Sequence, residues 1–450
     1  MEQYLQWFEK NFEQIKNDYF ELLKFETINA DPSYRSHTIA CVNWLKNYLE
    51  EIHFEAEIIE TMSAPLVFGQ KIIDPKLKTL LFYFHYDVMP VDPIEEWAHP
   101  PFNPQLKEGV VYARGASDDK GQLFYALSAM KALDALNLPP SVNIKVIIDG
   151  EEESGSVALH KKIEELKEKL SADYLAVLDL SMPSKDQPAI NIGARGMVSV
   201  EMQVKNASVD MHSGEHGGVA YNPLLAICKA VSKLHDDEGH IAIKDFYDDV
   251  KDWKKDELQE VDLSFDKDEY QKDFGVHTLW QEKGFQEKER NWLRPTIEIH
   301  GIKGGYTGPG FKSVIPSKAS VKISSRLVSS QDPRKVIERI INFLKAQIPI
   351  GMEVDFVEEV GGEALLSLDN SPITEAAIKA YEKVFKTKCT KVLAGGSVPI
   401  VASIAKTLHC PFVMMGTALP TDNIHAPNEH FMMEQFQKGF LVVANMLADF

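Results

Sequence analysis

The sequence predicts an α/β protein with a mostly parallel sheet, interrupted by a smaller α+β domain, and three observations predict it. First, three apolar runs, Leu80 to Phe84, Val142 to Ile148 and Tyr174 to Leu178, end in His85-Tyr86-Asp87, in Asp149 to Ser156 and in Asp179. Unbroken apolar runs of this length suit parallel strands buried on both faces, whose carboxyl ends share one edge of the sheet, where ligands bind in open α/β folds. Second, helical spacing in Gly121 to Leu136 and Val157 to Leu170 falls between the runs and gives a βαβ series. Third, the pattern changes character after Gly193-Ala194-Arg195-Gly196 and returns to α/β from Ser371.

Taken in order, Leu5, Phe8, Phe12, Ile15, Tyr19 and Leu22 recur at gaps of three and four, the stripe of an amphipathic helix. A second helix follows over Ile39 to Leu49, then the βαβ series. Val198, Val200, Met202 and Val204 alternate with polar residues, as in a strand buried on one face. Next come a helix from Pro223 to His235, strands over Thr296 to His300 and around Ala319, Val321 and Ile323, a helix from Pro333 to Gln347, and a strand from Met352 to Val357. That is the split βαβ order of a small ferredoxin-like domain. Lys244 to Leu293, rich in Asp, Glu and Lys with scattered aromatics such as Phe246, Trp253 and Tyr270, reads as a solvated insertion. The α/β pattern resumes with helices over Ile373 to Phe385 and Pro399 to Lys406, a strand over Pro411 to Met415 and a helix from Met432 to Ala448.

The 450 residues exceed the roughly 250–300 at which single cores stop growing, so two domains are expected. Their boundaries read as 1–192 and 362–450 for the interrupted domain and 193–361 for the inserted one. A formal net charge of −19 argues against nucleic acid or an anionic membrane as partner, since a polyanion would be repelled over most of the surface. Without a basic leader or an apolar run of about 18 residues, the expected location is the cytosol. Cys41, Cys228, Cys389 and Cys410 are scattered singly and read as reduced, mostly buried hydrophobes. A metal would therefore have to be held by His and carboxylate.

His85-x-Asp87 places an imidazole and a carboxylate on one face of an extended segment, where the carboxylate can fix ligand orientation. A structural histidine is the alternative. Asp118-Asp119 sits in a glycine-flanked loop before a helix; adjacent carboxylates repel unless cations are present, although a helix N-terminus also welcomes them. Glu151-Glu152-Glu153 ends an apolar strand, its alternative being a solvated acidic turn. The charges favour a pair of metals, because Asp118, Glu153, Asp179 and a bridging hydroxide together balance two divalent ions. One Zn²⁺ would leave that cluster at −2. Such ligands suit Zn²⁺ first, with Mn²⁺ and Co²⁺ compatible. Glu152, left free, could take the proton from the bridging water and deliver it to the leaving nitrogen. Asp173 lies near Asp179 as a fallback ligand. His425, in the polar loop Asp422 to Glu429, can be the second histidine ligand, whereas His212 in the interrupting domain falls outside a metal site of its own subunit.

With these residues in place the chain resembles the M20 family of co-catalytic zinc metallopeptidases, in its dipeptidase branch. The motifs are His85-Tyr86-Asp87, Arg114 to Gly121, Glu152-Glu153-Ser154-Gly155-Ser156, His212-Ser213-Gly214, Gly395-Gly396-Ser397 and His425. The resemblance implies a zinc-peptidase catalytic domain and a lid or dimerisation domain. It implies metal ligation by His85, Asp118, Glu153, Asp179 and His425, with Asp118 bridging, Asp87 supporting His85 and Glu152 as general base. It further implies a cis Asp118-Asp119 bond and a homodimer in which His212 reaches across to stabilise the oxyanion. Arg326 would pair with a substrate carboxylate, aided by Gly395, Gly396 and Ser397.

The expected function is metal-dependent hydrolysis of dipeptides or short peptides with a free C-terminus. An N-acyl-amino-acid deacylase of the same fold is the runner-up, and a metal-free binding protein is a further alternative.

Overall fold

The computed structural model describes the chain apart from residues 255–257, 259, 260, 368, 369 and 395–398, and apart from the side chains of 359, 360 and 399. Two compact units result. One comprises Met1–Gly193, Ser367–Leu393 and Ile400–Phe450; the other comprises Ala194–Leu366 and Ala394–Pro399.

In the first unit, a parallel centre is flanked by antiparallel strands. Asn143–Asp149, Thr79–His85, Tyr174–Leu178 and Phe412–Met415 lie side by side in that order, each parallel to the next, with His85 level with Asp149. Leu80 to Phe84 are fully buried, which is why the run carries no polar alternation. On one side Leu66–Lys71 and Glu55–Ile59 add antiparallel strands; on the other, Ala189–Ala194 runs antiparallel to Phe412–Met415 and pairs with Thr390–Ala394. Parallel neighbours end at the same edge, so the residues just after Thr79–His85, Asn143–Asp149, Tyr174–Leu178 and Phe412–Met415 are gathered there.

The helix Lys120–Ala135 is buried over nearly its whole length, and the helices Glu2–Leu23 and Met433–Ala448 pack on it. Phe8, Tyr19, Phe124, Phe436 and Phe440 form the aromatic contact, with ring centroids 5.0 Å apart for Phe8 and Phe440 and 5.2 Å for Tyr19 and Phe436. Tyr19 reaches further and donates its hydroxyl to the carbonyl of Ala116. Gly121 leaves room for this, since a Cβ there would stand 2.0 Å from the Ala116 oxygen.

Several expectations need correction. The helix expected over Val157 to Leu170 is two short helices, Val157–Lys162 and Lys167–Leu170, although Leu159, Ile163, Leu166 and Leu170 are all buried as the spacing implied. Periodicity reported the buried face but not the turn between. The strands Glu55–Ile59, Leu66–Lys71, Ala189–Ala194 and Thr390–Ala394 were not anticipated, nor was the small antiparallel sheet of Gln105–Lys107, Val110–Tyr112 and His430–Met432. Short strands of mixed polarity have too few residues for a period to stand out. The cysteines, by contrast, are mostly buried as expected: Cys41, Cys389 and Cys410 are buried and Cys228 is exposed.

The second unit is a four-stranded antiparallel sheet in the order Thr296–Gly304, Lys318–Leu327, Gly196–Lys205, Glu353–Gly362. Val200, Met202 and Val204 stand opposite Ile323, Val321 and Ala319 and share a core with Ile227, Ala230, Ile337 and Ile340 of the helices Pro223–Val231 and Pro333–Gln347. Both helices start with Pro after a capping side chain, Asn222 or Asp332. The first ends at Val231, short of the expected His235. In the insertion, Phe246 and Trp292 are buried, and Phe246 joins that core, so this segment is not wholly a solvated surface.

Candidate metal centre

The carboxyl edge of the parallel strands assembles the site. His85 closes its strand fully buried. Its Nε2 lies 2.9 Å from Oδ1 of Asp118 and 3.4 Å from Oδ1 of Asp179, which directly follows the strand Tyr174–Leu178. Its Nδ1 faces the carbonyl oxygen of Asp87 at 3.1 Å, which leaves Nε2 toward the acids. Asp118 stands in the loop before Lys120–Ala135, and the Asp118–Asp119 peptide is cis. His425 lies in the loop after the strand Phe412–Met415, its Nε2 2.9 Å from Oδ2 of Asp118 and 3.1 Å from Oε2 of Glu153.

The three consecutive glutamates part company. Glu151 accepts the N–H of Ala158 at 2.7 Å and is buried away from the histidines. Asp87 accepts the backbone N–H of Glu152 on Oδ1 and that of Glu153 on Oδ2, both at 3.1 Å, so one buried carboxylate fixes the turn that carries both side chains. Asp119 accepts the N–H of His85 at 3.1 Å.

Two groups of ligand atoms result, His85, Glu152 and Asp179 in one and Asp118, Glu153 and His425 in the other, each with all its atoms within 4.8 Å of one another. Imidazole nitrogen and carboxylate oxygen are the donors that Zn²⁺, Mn²⁺ and Co²⁺ accept. Asp118 turns one oxygen to each histidine, and this donor set fits a pair of divalent ions.

The sequence profile of Peptidase family M20/M25/M40 matches residues 81–449. The chain belongs to this family. It is a hydrolase acting on peptide bonds. The Beta-Ala-His dipeptidase of Homo sapiens is 30% identical over 383 residues, which are 83% of this chain and 75% of that protein. Human carnosine dipeptidase 1 superposes with a TM-score of 0.88 at 25% identity, covering 100% of this chain and 98% of that one. An M20 family metallo-carboxypeptidase from Sulfolobus solfataricus gives a TM-score of 0.87 at 31% identity, covering 96% and 98%. Among the described residues no helix of this peptidase is long and apolar enough to cross a membrane.

The electrostatics of the site's own side chains are those of acids crowded out of water. Burial, then Asp179, Glu153 and Asp87, push Glu152 well above the usual carboxylate range against the pull of His85. Burial and the Asp118 charge raise Glu153 to about 7 and Asp179 to about 6. Hydrogen bonds to Asp118 and Glu153 raise His425 to about 10, and burial only partly opposes them. For His85, burial works downward but Asp179, Asp118 and Asp87 outweigh it. Asp118 alone is lowered, because the two histidines overcome its burial. Glu152, Glu153, Asp179 and the two histidines thus bind protons more tightly than usual, and divalent ions would compete with those protons.

The structure brings together His85, Asp87, Asp118, Glu152, Glu153, Asp179 and His425. Asp173, the fallback for Asp179, is at the opposite end of its strand, where it binds Lys78 Nζ at 2.7 Å and the N–H of Thr79 at 2.9 Å. His212 and Arg326 belong to the second unit. His212 is exposed, its Nδ1 accepting the Gly214 N–H at 3.1 Å, and Arg326 is half-buried opposite Thr296 and Met197. Gly395, Gly396 and Ser397 lie outside the described residues. Sequence reasoning gave no role to Arg114 or Glu429, which form a buried ion pair at 2.9 Å beside Asp118. Their only signal was membership of the Arg114 to Gly121 and Asp422 to Glu429 segments.

Proposed function

We propose that this peptidase hydrolyses dipeptides and short peptides that carry a free C-terminal carboxylate, using two divalent cations, Zn²⁺ in the first instance. The observation that carries the reading is the pair of His and carboxylate groups, with Asp118 turning one oxygen to each histidine. When bound, such ions supply polarisation of the scissile carbonyl and acidification of the attacking water. His85 and Asp179 would hold one ion, Glu153 and His425 the other, and Asp118 would serve both. Glu152 takes the proton from the water and returns it to the leaving nitrogen. Asp87 holds Glu152 and Glu153 through their backbone amides. Arg326 pairs with the substrate carboxylate, with Gly395, Gly396 and Ser397 as further contacts, and His212 from a second subunit stabilises the oxyanion.

A homodimer is required by that role of His212. What supports it is the edge strand Thr296–Gly304, which pairs on one side only among the described residues and exposes Ile299 and Ile302; such edges template pairing. The free cysteines fit a reducing compartment, and the cytosol is the proposed location.

The likeness to a Sulfolobus carboxypeptidase favours a second reading, release of the last residue from longer peptides. Steady-state rates of the metal-loaded protein on an Ala-Ala-type dipeptide, a tetrapeptide and an N-acetyl amino acid separate these readings from each other and from a deacylase. Absence of dipeptide cleavage would defeat the first.

A further inference from the structure

We infer that Glu429 is a positioning residue that sets where Asp118 stands, and with it the distance between Asp118 and His425. The inference rests on the two-ion reading above.

The carboxylate of Glu429 is only 1% exposed and accepts four hydrogen bonds. Oε2 receives Arg114 Nη1 and the Gly115 N–H, both at 2.9 Å; Oε1 receives the N–H groups of Ser117 at 2.9 Å and Asp118 at 3.1 Å. Burying a carboxylate is costly, and the Arg114 guanidinium supplies the opposing charge. Neutralising Arg114 engages one oxygen. The other oxygen is spent wholly on the loop that carries Asp118, whose own amide is among the donors. Curling three amides of this loop onto one carboxylate takes a left-handed residue, and Gly115 supplies it at φ +78°.

The same ion pair reaches the second histidine. Arg114 Nη1 donates to the carbonyl of Ala426, next to His425, at 3.3 Å, and Nη2 to that of Pro90 at 2.9 Å, while the guanidinium sits over the Trp97 ring. Ser117 Oγ donates to Asp422 Oδ2 at 2.9 Å, so the loop of Asp118 and the loop of His425 are tied at both ends of the latter. Within that loop Asn423, His425 and Asn428 all have positive φ, which asparagine adopts readily but which costs more at His425 and is kept where surrounding bonds hold it. Glu429 and Arg114 are such bonds. Asp118 and His425 are therefore spaced by a clasp that touches neither side chain.

The test uses metal-free wild type, Glu429→Asp and Glu429→Gln, titrated calorimetrically with Zn²⁺ or Mn²⁺, with circular dichroism to check folding and dipeptide kinetics after loading. Aspartate keeps the charge beside Arg114 but is one methylene short of the loop amides. Expected are two equivalents in wild type and, in folded Glu429→Asp, at least one equivalent bound about 10-fold or more weaker, the scale for residues behind metal ligands. In the same variant kcat should fall about 10-fold or more with KM within about 3-fold. Glu429→Gln should move the same way. Wild-type affinity and kcat in folded Glu429→Asp would reduce Glu429 to a charge partner and overturn the inference. So would failure of both variants to fold, because Glu429 would then be a requirement of the fold. A wild type binding fewer than two equivalents would instead sink the two-ion reading itself, and Glu429's role with it.

Discussion

His425 Nε2 lies 2.9 Å from Oδ2 of Asp118, although the two residues are 307 positions apart in the chain. The other oxygen of the same carboxylate lies 2.9 Å from His85. Asp118 is thus the side chain common to two groups of ligands, and removing it differs from removing either histidine.

His425→Ala should lower the metal content of the loaded protein from about two equivalents to about one, while Asp118→Ala should take it below one, since both ions lose a ligand. Metal analysis after gel filtration decides. Two equivalents retained in Asp118→Ala would remove its shared role.

Glu152→Gln keeps shape and removes the base. A fall in kcat of roughly 100-fold or more is expected with metal content unchanged. Because Glu152 stands within 4.8 Å of the His85 and Asp179 ligand atoms, the outcome distinguishes two roles. Metal lost in step with activity would make it a ligand.

Asp87→Ala leaves the amides of Glu152 and Glu153 without their buried acceptor. Two such losses should cost about 2–4 kcal/mol in the metal-free protein, read from denaturant unfolding. Asp87→Asn retains one acceptor oxygen and should cost less. Equal stability of Asp87→Ala and wild type would show that water replaces the carboxylate.

The metal-free protein should lose stability as pH rises. Glu153 at about 7, Asp179 at about 6 and His425 at about 10 all bind protons more tightly folded than unfolded. Each contribution is full below the unfolded pKa and vanishes as pH passes the folded one. Metal needs the same groups deprotonated, so the gain in Tm on adding Zn²⁺ should widen from about pH 6 to about pH 8, with protons released on binding. Calorimetry in buffers of different ionisation enthalpy measures that release; its absence would contradict the raised proton affinity of these groups.

Much of this arrangement was legible in the letters. Leu80 to Phe84 and Tyr174 to Leu178 announced buried strands because no polar residue interrupts them, and a strand that ends in His85 or Asp179 must deliver that side chain to the sheet edge. The alternation of Val198 to Val204 announced a sheet with one covered face. What stayed hidden had no local period. Glu55–Ile59 and Thr390–Ala394 are five-residue strands, and Phe246 is buried through contacts made elsewhere in the second unit.

The sequence by itself determined the α/β order, the interruption by an α+β domain and the side chains that could bind metal, because each is encoded in spacing and residue type within short segments. Only the tertiary structure decided that Asp118 faces both histidines, that Glu151 turns away from its two neighbours, that Asp173 lies at the opposite strand end, and that Glu429 closes on the loop of Asp118. The first and last join residues 307 and 311 positions apart and the other two depend on which way a side chain or a strand end turns, and all are set by how parallel strands align and how buried charges find their hydrogen bonds.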